Sequence, residues 1–301
     1  MVESFLHDMS WVLPFRSETA TIIFNGFTFL GYTPFFLIFL PIGYWLWDRA
    51  LFTRLAVLIA ITALVNGWLK DFWQDARPDP AFQLDADRVE GSYGLPSGHA
   101  QVAVAMWFWL AYEIRRPWAW AAAFIIAAGV CLSRLYLGVH DVEDVLAGIG
   151  LGILSIAIFA LLVREHVVAR WRRLPAWVDF VVIVAAIPAL WLIWPNGEDP
   201  TGIAAVLFLL LGWFAGASLD RRAAPESPIL PAWWLQALMA VGGVLGIFAL
   251  RKLLVTGGIA AGLPEAIIGH VAAAAMGVYA TYIAPAIFRA LKLMKQPQAM
   301  Q

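Results

Sequence analysis

The chain has 301 residues, a formal charge of −1, 62% hydrophobic and 14% charged residues, and a mean hydropathy of +0.77. These values place it among membrane proteins and leave no basic excess of the kind that attracts nucleic acid. Its single cysteine, Cys131, excludes an internal disulfide and reads as a small packing residue in a buried helix.

The first eighteen residues carry Glu3, His7, Asp8, Arg16 and Glu18, without the basic start and apolar centre of a cleavable signal. Residues 1–19 are expected to form a helix lying at the membrane interface, with Phe5, Leu6, Trp11, Leu13 and Phe15 as its apolar contacts. A spanning helix needs about 20 mostly apolar residues. Nine stretches meet that need: 20–47, 51–69, 99–115, 117–137, 145–163, 177–194, 201–218, 233–255 and 265–286. The first contains Gly31 and Pro34, which suggests a tilt or kink. The 16 tryptophans fit two interfacial belts. Gly148-x-x-x-Gly152 and Gly242-x-x-x-Gly246 are small-residue patterns that serve helix packing and also occur at homo-oligomer contacts. The predicted fold is thus an all-α, polytopic transmembrane bundle.

If nine spans alternate, thirteen of the 20 lysines and arginines fall on one side, among them Arg49, Arg115, Arg116, Arg172, Arg222, Arg289 and Lys295. The other side receives Arg16, Lys70, Arg77, Arg88, Arg134, Arg251 and Lys252. The richer side is cytoplasmic by the positive-inside bias, and the C-terminus falls there.

Three polar blocks interrupt the apolar pattern on the poorer side. They are Lys70-x6-Arg77-Pro78, Pro96-Ser97-Gly98-His99, and Ser133-Arg134-x5-His140-x3-Asp144. Ionisable groups at a membrane boundary are costly, so they point to function. His140 and Asp144, four residues apart, share a face if helical. The two long-range conditions agree: blocks in the loops after the second and fourth spans lie on one membrane face.

Together the blocks resemble the signature of the type 2 phosphatidic acid phosphatase superfamily, lipid phosphate phosphatases related in fold to the vanadium haloperoxidases. The resemblance covers about residues 20–165, so the expected organisation is an interfacial segment (1–19), a catalytic membrane domain (20–165) and a C-terminal membrane domain of about four spans (166–301). It implies that His140 is a nucleophile forming a phosphohistidine, that Asp144 orients it, and that His99 is the acid–base. Lys70, Arg77, Ser97, Gly98 and Arg134 would hold the phosphate, with neither metal nor other cofactor. A carboxylate on one imidazole nitrogen fixes the tautomer and frees the other nitrogen to attack. Ser97 and the Gly98 N–H precede a helix N-terminus, where anionic oxygens collect. Arginine's fork can take two phosphate oxygens, while lysine supplies a compact charge. Ser133 either orients the pocket or bonds within its helix. Asp71, Asp75, Asp141 and Glu143 read as partners of the clamp, and the loop of Asp79, Asp85, Asp87, Arg88 and Glu90 as the rim of the pocket.

The implied partners are the bilayer and a lipid phosphate: phosphatidic acid, phosphatidylglycerophosphate, undecaprenyl pyrophosphate or a sphingoid-base phosphate. The site would face the periplasm or an equivalent external compartment. Two other readings stand beside the hydrolase: a phosphotransferase that resolves the same phosphohistidine with an acceptor hydroxyl, and a lipid-binding or transport protein. In the C-terminal third, Arg251 faces either the bundle or the interface, His270 reads as a hydrogen-bonded packing residue, and the cluster Arg164–Arg173 marks the cytoplasmic surface.

Overall fold

The computed structural model describes residues 6–84, 92–175, 177–223 and 231–294. Phe5, Asp85, Asp87, Arg88, Glu90, Lys295 and the side chains of Arg172 and Arg222 lie outside the described residues. Among the described residues every regular element is helical: α1 (Glu18–Phe29), α2 (Thr33–Leu46), α3 (Arg49–Trp73), α4 (Gly98–Ile114), α5 (Pro117–Tyr136), α6 (Val142–Leu162), α7 (Glu165–Arg172), α8 (Trp177–Ile193), α9 (Thr201–Ala223), α10 (Trp233–Ala260), α11 (Glu265–Val278) and α12 (Ala284–Ala290).

The expected first span is two helices. Ser17 starts α1 by accepting from the Ala20 N–H at 3.2 Å, with Glu18 in the favoured first turn. The chain breaks at Leu30, Gly31 and Tyr32, and α2 resumes at Thr33-Pro34, bent by 56° from α1. Proline lacks the N–H that a first helical turn leaves unpaired, so it suits the restart.

All nine apolar stretches are helical, but their lengths sort them. Among the described residues, six helices are long and apolar enough to cross a membrane, and seven if the bent α1–α2 pair counts as one span. The other two, α4 and α8, have 17 residues each. At 1.5 Å per residue such a helix reaches about 26 Å, slightly less than a ~30 Å hydrocarbon core.

The chain divides into two compact units: Met1–Phe36, Val57–Val168 and Trp194–Glu198 in the first, and Leu37–Ala56, Ala169–Ile193 and Asp199–Gln301 in the second. In the first unit α5 and α6 pack on α4. A Cβ on Gly148 would come within 2.6 Å of the Ser97 carbonyl, and one on Gly152 within 2.8 Å of the Gln101 carbonyl. That small-residue pair therefore sets the approach of α6 to α4. Alongside, an apolar cavity of about 780 Å³ is bounded by α4, α5 and α6, lined by Phe108, Phe124, Leu132, Ile149 and Ile153 among others. The N-terminal segment is a short 3₁₀ turn, Ser10–Phe15. Trp11, Leu13 and Phe15 are exposed, whereas Met9 and Val12 are buried with Cys131, Leu135 and Val145.

In the second unit a π-helical turn, Tyr279–Ile283, joins α11 to α12. The Thr281 hydroxyl donates to the Trp213 and Gly277 carbonyls, each at 2.9 Å, and the Trp45 indole donates to the Ala280 carbonyl at 2.6 Å. Asp220, fully buried, pairs with Arg49 at 2.7 Å and Arg289 at 2.6 Å, so its charge is compensated twice. His270 is the expected packing residue: its Nε2 bonds the Thr201 carbonyl at 3.0 Å and its ring stacks on Phe208. Arg251 and Lys252 are exposed and lie inside α10, which continues to Ala260 instead of ending beside them.

Candidate active site

The C-terminal ends of α3 and α5 and the N-terminal ends of α4 and α6 carry the three polar blocks. Alternating helices put these four ends on one face, so blocks separated by whole spans meet.

His140 sits in the turn between α5 and α6, 2% exposed. Its Nδ1 lies 2.8 Å from Oδ2 of Asp144, which is 1% exposed. Asp144 is held by the start of its own helix. Asp141 is the N-cap and accepts from the Asp144 N–H at 3.0 Å, while Asp144 accepts from the Asp141 N–H at 3.3 Å. This reciprocal capping box fixes the carboxylate against the ring. Burial, then the charges of Lys70, Arg77 and Arg134, hold the His140 imidazolium well below the usual range. The ring is therefore neutral: Nδ1–H donates to Asp144 and Nε2 keeps its lone pair.

Arg77 reaches that nitrogen. Its Nη1 lies 3.2 Å from His140 Nε2 and donates to the Val139 carbonyl at 2.6 Å, while Nε donates to the Ser92 carbonyl at 2.6 Å. Burial, then the neighbouring Arg134, lowers its pKa to about 10, so it stays charged at neutral pH. Lys70 Nζ donates to the Gly94 carbonyl at 2.9 Å and to the Tyr93 carbonyl. Arg134, 2% exposed, donates through Nη1 to the Thr28 hydroxyl at 2.5 Å. Three cations thus surround one imidazole.

The Pro-Ser-Gly-His turn opens α4. Ser97 N–H donates to the Asp144 carbonyl at 2.9 Å, tying this turn to the His140 helix. Its hydroxyl and His99 Nε2 are buried and have no hydrogen-bond partner among the described residues. Buried polar atoms are almost always paired, so these two are open to a polar partner. At Gly98 a Cβ would come within 2.8 Å of the Asn66 side-chain oxygen. Asn66 donates to the Pro96 carbonyl at 3.2 Å and to Gln101 Oε1 at 2.9 Å, bracing the turn from α3. Ser133 bonds within its helix, to the Val130 carbonyl at 2.6 Å.

Sequence reasoning missed several neighbours. Tyr32 packs edge-on against His99, with ring centroids 4.7 Å apart, and a Cβ on Gly31 would overlap the His99 ring. The α1–α2 break is thus part of the site, along with Thr28. Asn66, a polar residue inside an apolar span, carried a signal that was there to be used. The acidic residues divide among other tasks. Asp141 and Glu143 pair with His7 at 2.7 and 3.2 Å, and Asp71 accepts from the Trp194 indole at 2.7 Å. Asp75 is pushed above the usual carboxylate range, by burial first and then by Asp141.

Residues 51–167 match the PAP2 superfamily. The chain is 34% identical to mouse sphingosine-1-phosphate phosphatase 2 over 128 residues, covering 40% of this chain and 36% of that one. It is 25% identical to lipid phosphate phosphatase delta of Arabidopsis thaliana over 203 residues, 59% of this chain and 46% of the other. It is 32% identical to phosphatidylglycerophosphatase B of Bacillus subtilis over 145 residues, 44% of this chain and 70% of that protein. The chain spans about a third of the length of the sphingosine-1-phosphate phosphatase 2 relatives it matches. No solved structure matches it. The family match, the three blocks and a Bacillus relative aligned over most of its length lead to one conclusion: this multi-pass integral membrane protein belongs to the PAP2 superfamily.

Proposed function

We propose that the protein is a lipid phosphate phosphatase working through a phosphohistidine on His140. The observation that carries this reading is the buried Asp144 carboxylate 2.8 Å from His140 Nδ1, with Nε2 facing Arg77. Binding alone needs cations, not an oriented imidazole lone pair. In the proposed reaction Nε2 attacks phosphorus and the phosphorus–oxygen bond to the lipid breaks. His99 relays a proton from the bound phosphomonoester monoanion to the departing oxygen. Asp144 balances the positive charge that forms on His140. Water then attacks phosphorus, His99 takes a proton from it, the phosphorus–nitrogen bond breaks, and inorganic phosphate leaves with His140 restored.

Lys70, Arg77 and Arg134 neutralise the phosphoryl oxygens, with Ser97 and Gly98 as further donors. Three side-chain cations supply the charge that a divalent ion would otherwise bring, so the reaction is proposed to need no metal. Relatives named for sphingosine 1-phosphate and phosphatidylglycerophosphate support a phosphomonoester of a lipid as substrate. The catalytic unit is assigned to residues 20–165. The site is assigned to the external face because the arginine-rich side lies opposite.

The test is phosphate release by purified protein from sphingosine 1-phosphate, phosphatidylglycerophosphate, phosphatidic acid and undecaprenyl pyrophosphate. Wild type should release phosphate from at least one, with or without EDTA, and His140→Ala from none. Full activity in His140→Ala would overturn the mechanism. A phosphorylated acceptor in place of free phosphate would make the protein a phosphotransferase.

A further inference from the structure

We infer that the turn Trp194–Glu198, between α8 and α9 in the C-terminal third, is a positioning element for the phosphate clamp that acts through Lys70. It rests on the assignment of Lys70 to phosphate. The turn lies outside residues 51–167, the part of the chain that matches the family, so this support comes from the additional spans.

Lys70 stands one turn before the end of α3. That end is abrupt: Gln74 adopts φ +51°, and its N–H returns to the Lys70 carbonyl at 2.8 Å. The last carbonyls of any helix lack partners within it. Here Asn196 supplies them, donating to the Asp71 carbonyl at 2.6 Å and the Phe72 carbonyl at 3.1 Å. Trp194 adds a bond from its indole to the Asp71 carboxylate at 2.7 Å. The final turn of α3 is therefore capped by side chains more than a hundred residues away.

The other side of Lys70 is held by the same turn. The carbonyls of Tyr93 and Gly94 receive the ammonium, and the Tyr93 hydroxyl donates to Glu198 Oε1 at 2.9 Å. That same oxygen accepts from Gln74 Nε2 at 2.9 Å. Glu198 thus ties the helix that carries Lys70 to the segment that receives it. Asn196 and Gly197, at φ +55° and +72°, form a tight left-handed turn that these residue types tolerate.

An ammonium has three donors. Two go to Tyr93 and Gly94, which fixes the direction of the third and leaves it for a phosphate oxygen. Loosening either tether lets that donor swing. Misplacement of a positioning group by about 1 Å can cost on the order of 10²-fold in rate.

The test is a set of double-mutant cycles on the full chain. Glu198→Ala and Tyr93→Phe should each lower kcat/KM about tenfold against the best-hydrolysed lipid phosphate. In a Lys70→Met background each should lower it less than about twofold, because the residue they act through is gone. A merely structural role would give the same fold-loss in both backgrounds and would overturn the inference. Wild-type kcat/KM in both single variants would do the same. If no lipid phosphate in the panel is hydrolysed, the cycle is read in the affinity for inorganic phosphate. Coupled losses there would support the turn's role while the hydrolase reading fails. Unchanged phosphate affinity in Lys70→Met would overturn the inference together with the assignment of Lys70.

Discussion

His7 Nδ1 lies 2.7 Å from the Asp141 carboxylate, joining the N-terminal segment to the residue beside the proposed nucleophile. Nε2 of the same ring lies 3.2 Å from Glu143. Asp141 has its other oxygen on the Asp144 N–H, so one carboxylate serves both the helix cap and this latch.

The latch should be pH-dependent. The hydrogen bond to Asp141 raises the pKa of His7, with further charge from Asp141, Glu143 and Asp75. A raised folded-state pKa means that the contribution is complete below the ordinary imidazole pKa and is lost as pH rises through the raised value. Hydrogen exchange of residues 6–16 should therefore quicken as pH rises above the ordinary imidazole pKa, beyond the intrinsic rate change. His7→Gln should remove that step; an identical step in the variant would show that another group governs the segment.

Asp144→Asn should lower kcat far more than it raises KM. The carboxylate orients the His140 ring and balances charge that appears only after attack, so its effect is concentrated in the transition state. Loss of the equivalent partner in a serine-protease triad costs on the order of 10⁴ in rate. Steady-state kinetics with kcat unchanged would mean that the ring is oriented by something other than the 2.8 Å contact.

Gly31→Ala should disable His99 without touching a charged group. The added methyl would overlap the imidazole, because the α1–α2 break brings the backbone against the ring. A displaced acid–base group predicts a kcat loss of about 10², with phosphate affinity near wild type. Equal kcat in the variant would show that the break can open at little cost.

Labelling tests the orientation. In a Cys131→Ser background, a cysteine at exposed Asp79 should react with a membrane-impermeant thiol reagent added outside intact cells. One at exposed Arg116, between α5 and the end of α4, should react only after the membrane is opened. The reverse pattern would place the site on the cytoplasmic face and change the accessible lipid leaflet.

The residues proposed for the site stood out in the sequence as three short polar blocks. Ser97, Gly98 and His99 open a helix, and His140 stands just before the N-cap of the helix that carries Asp144, a contact made from a turn and not along one helix face; such short spacings survive in a linear string. The apolar stretches were equally readable, since burial in a bilayer is a property of composition. Composition suggested a kink at Gly31 and Pro34 in a single first span, but could not see that the chain breaks there into two helices bent by 56°. Nor could it see what holds the clamp. Thr28 on Arg134, Asn66 beneath Gly98, and Glu198 on Tyr93 pair polar groups from distant parts of the chain. A hydrogen bond between residues a hundred positions apart leaves no period in the sequence, because only the packing of whole helices decides which ends meet.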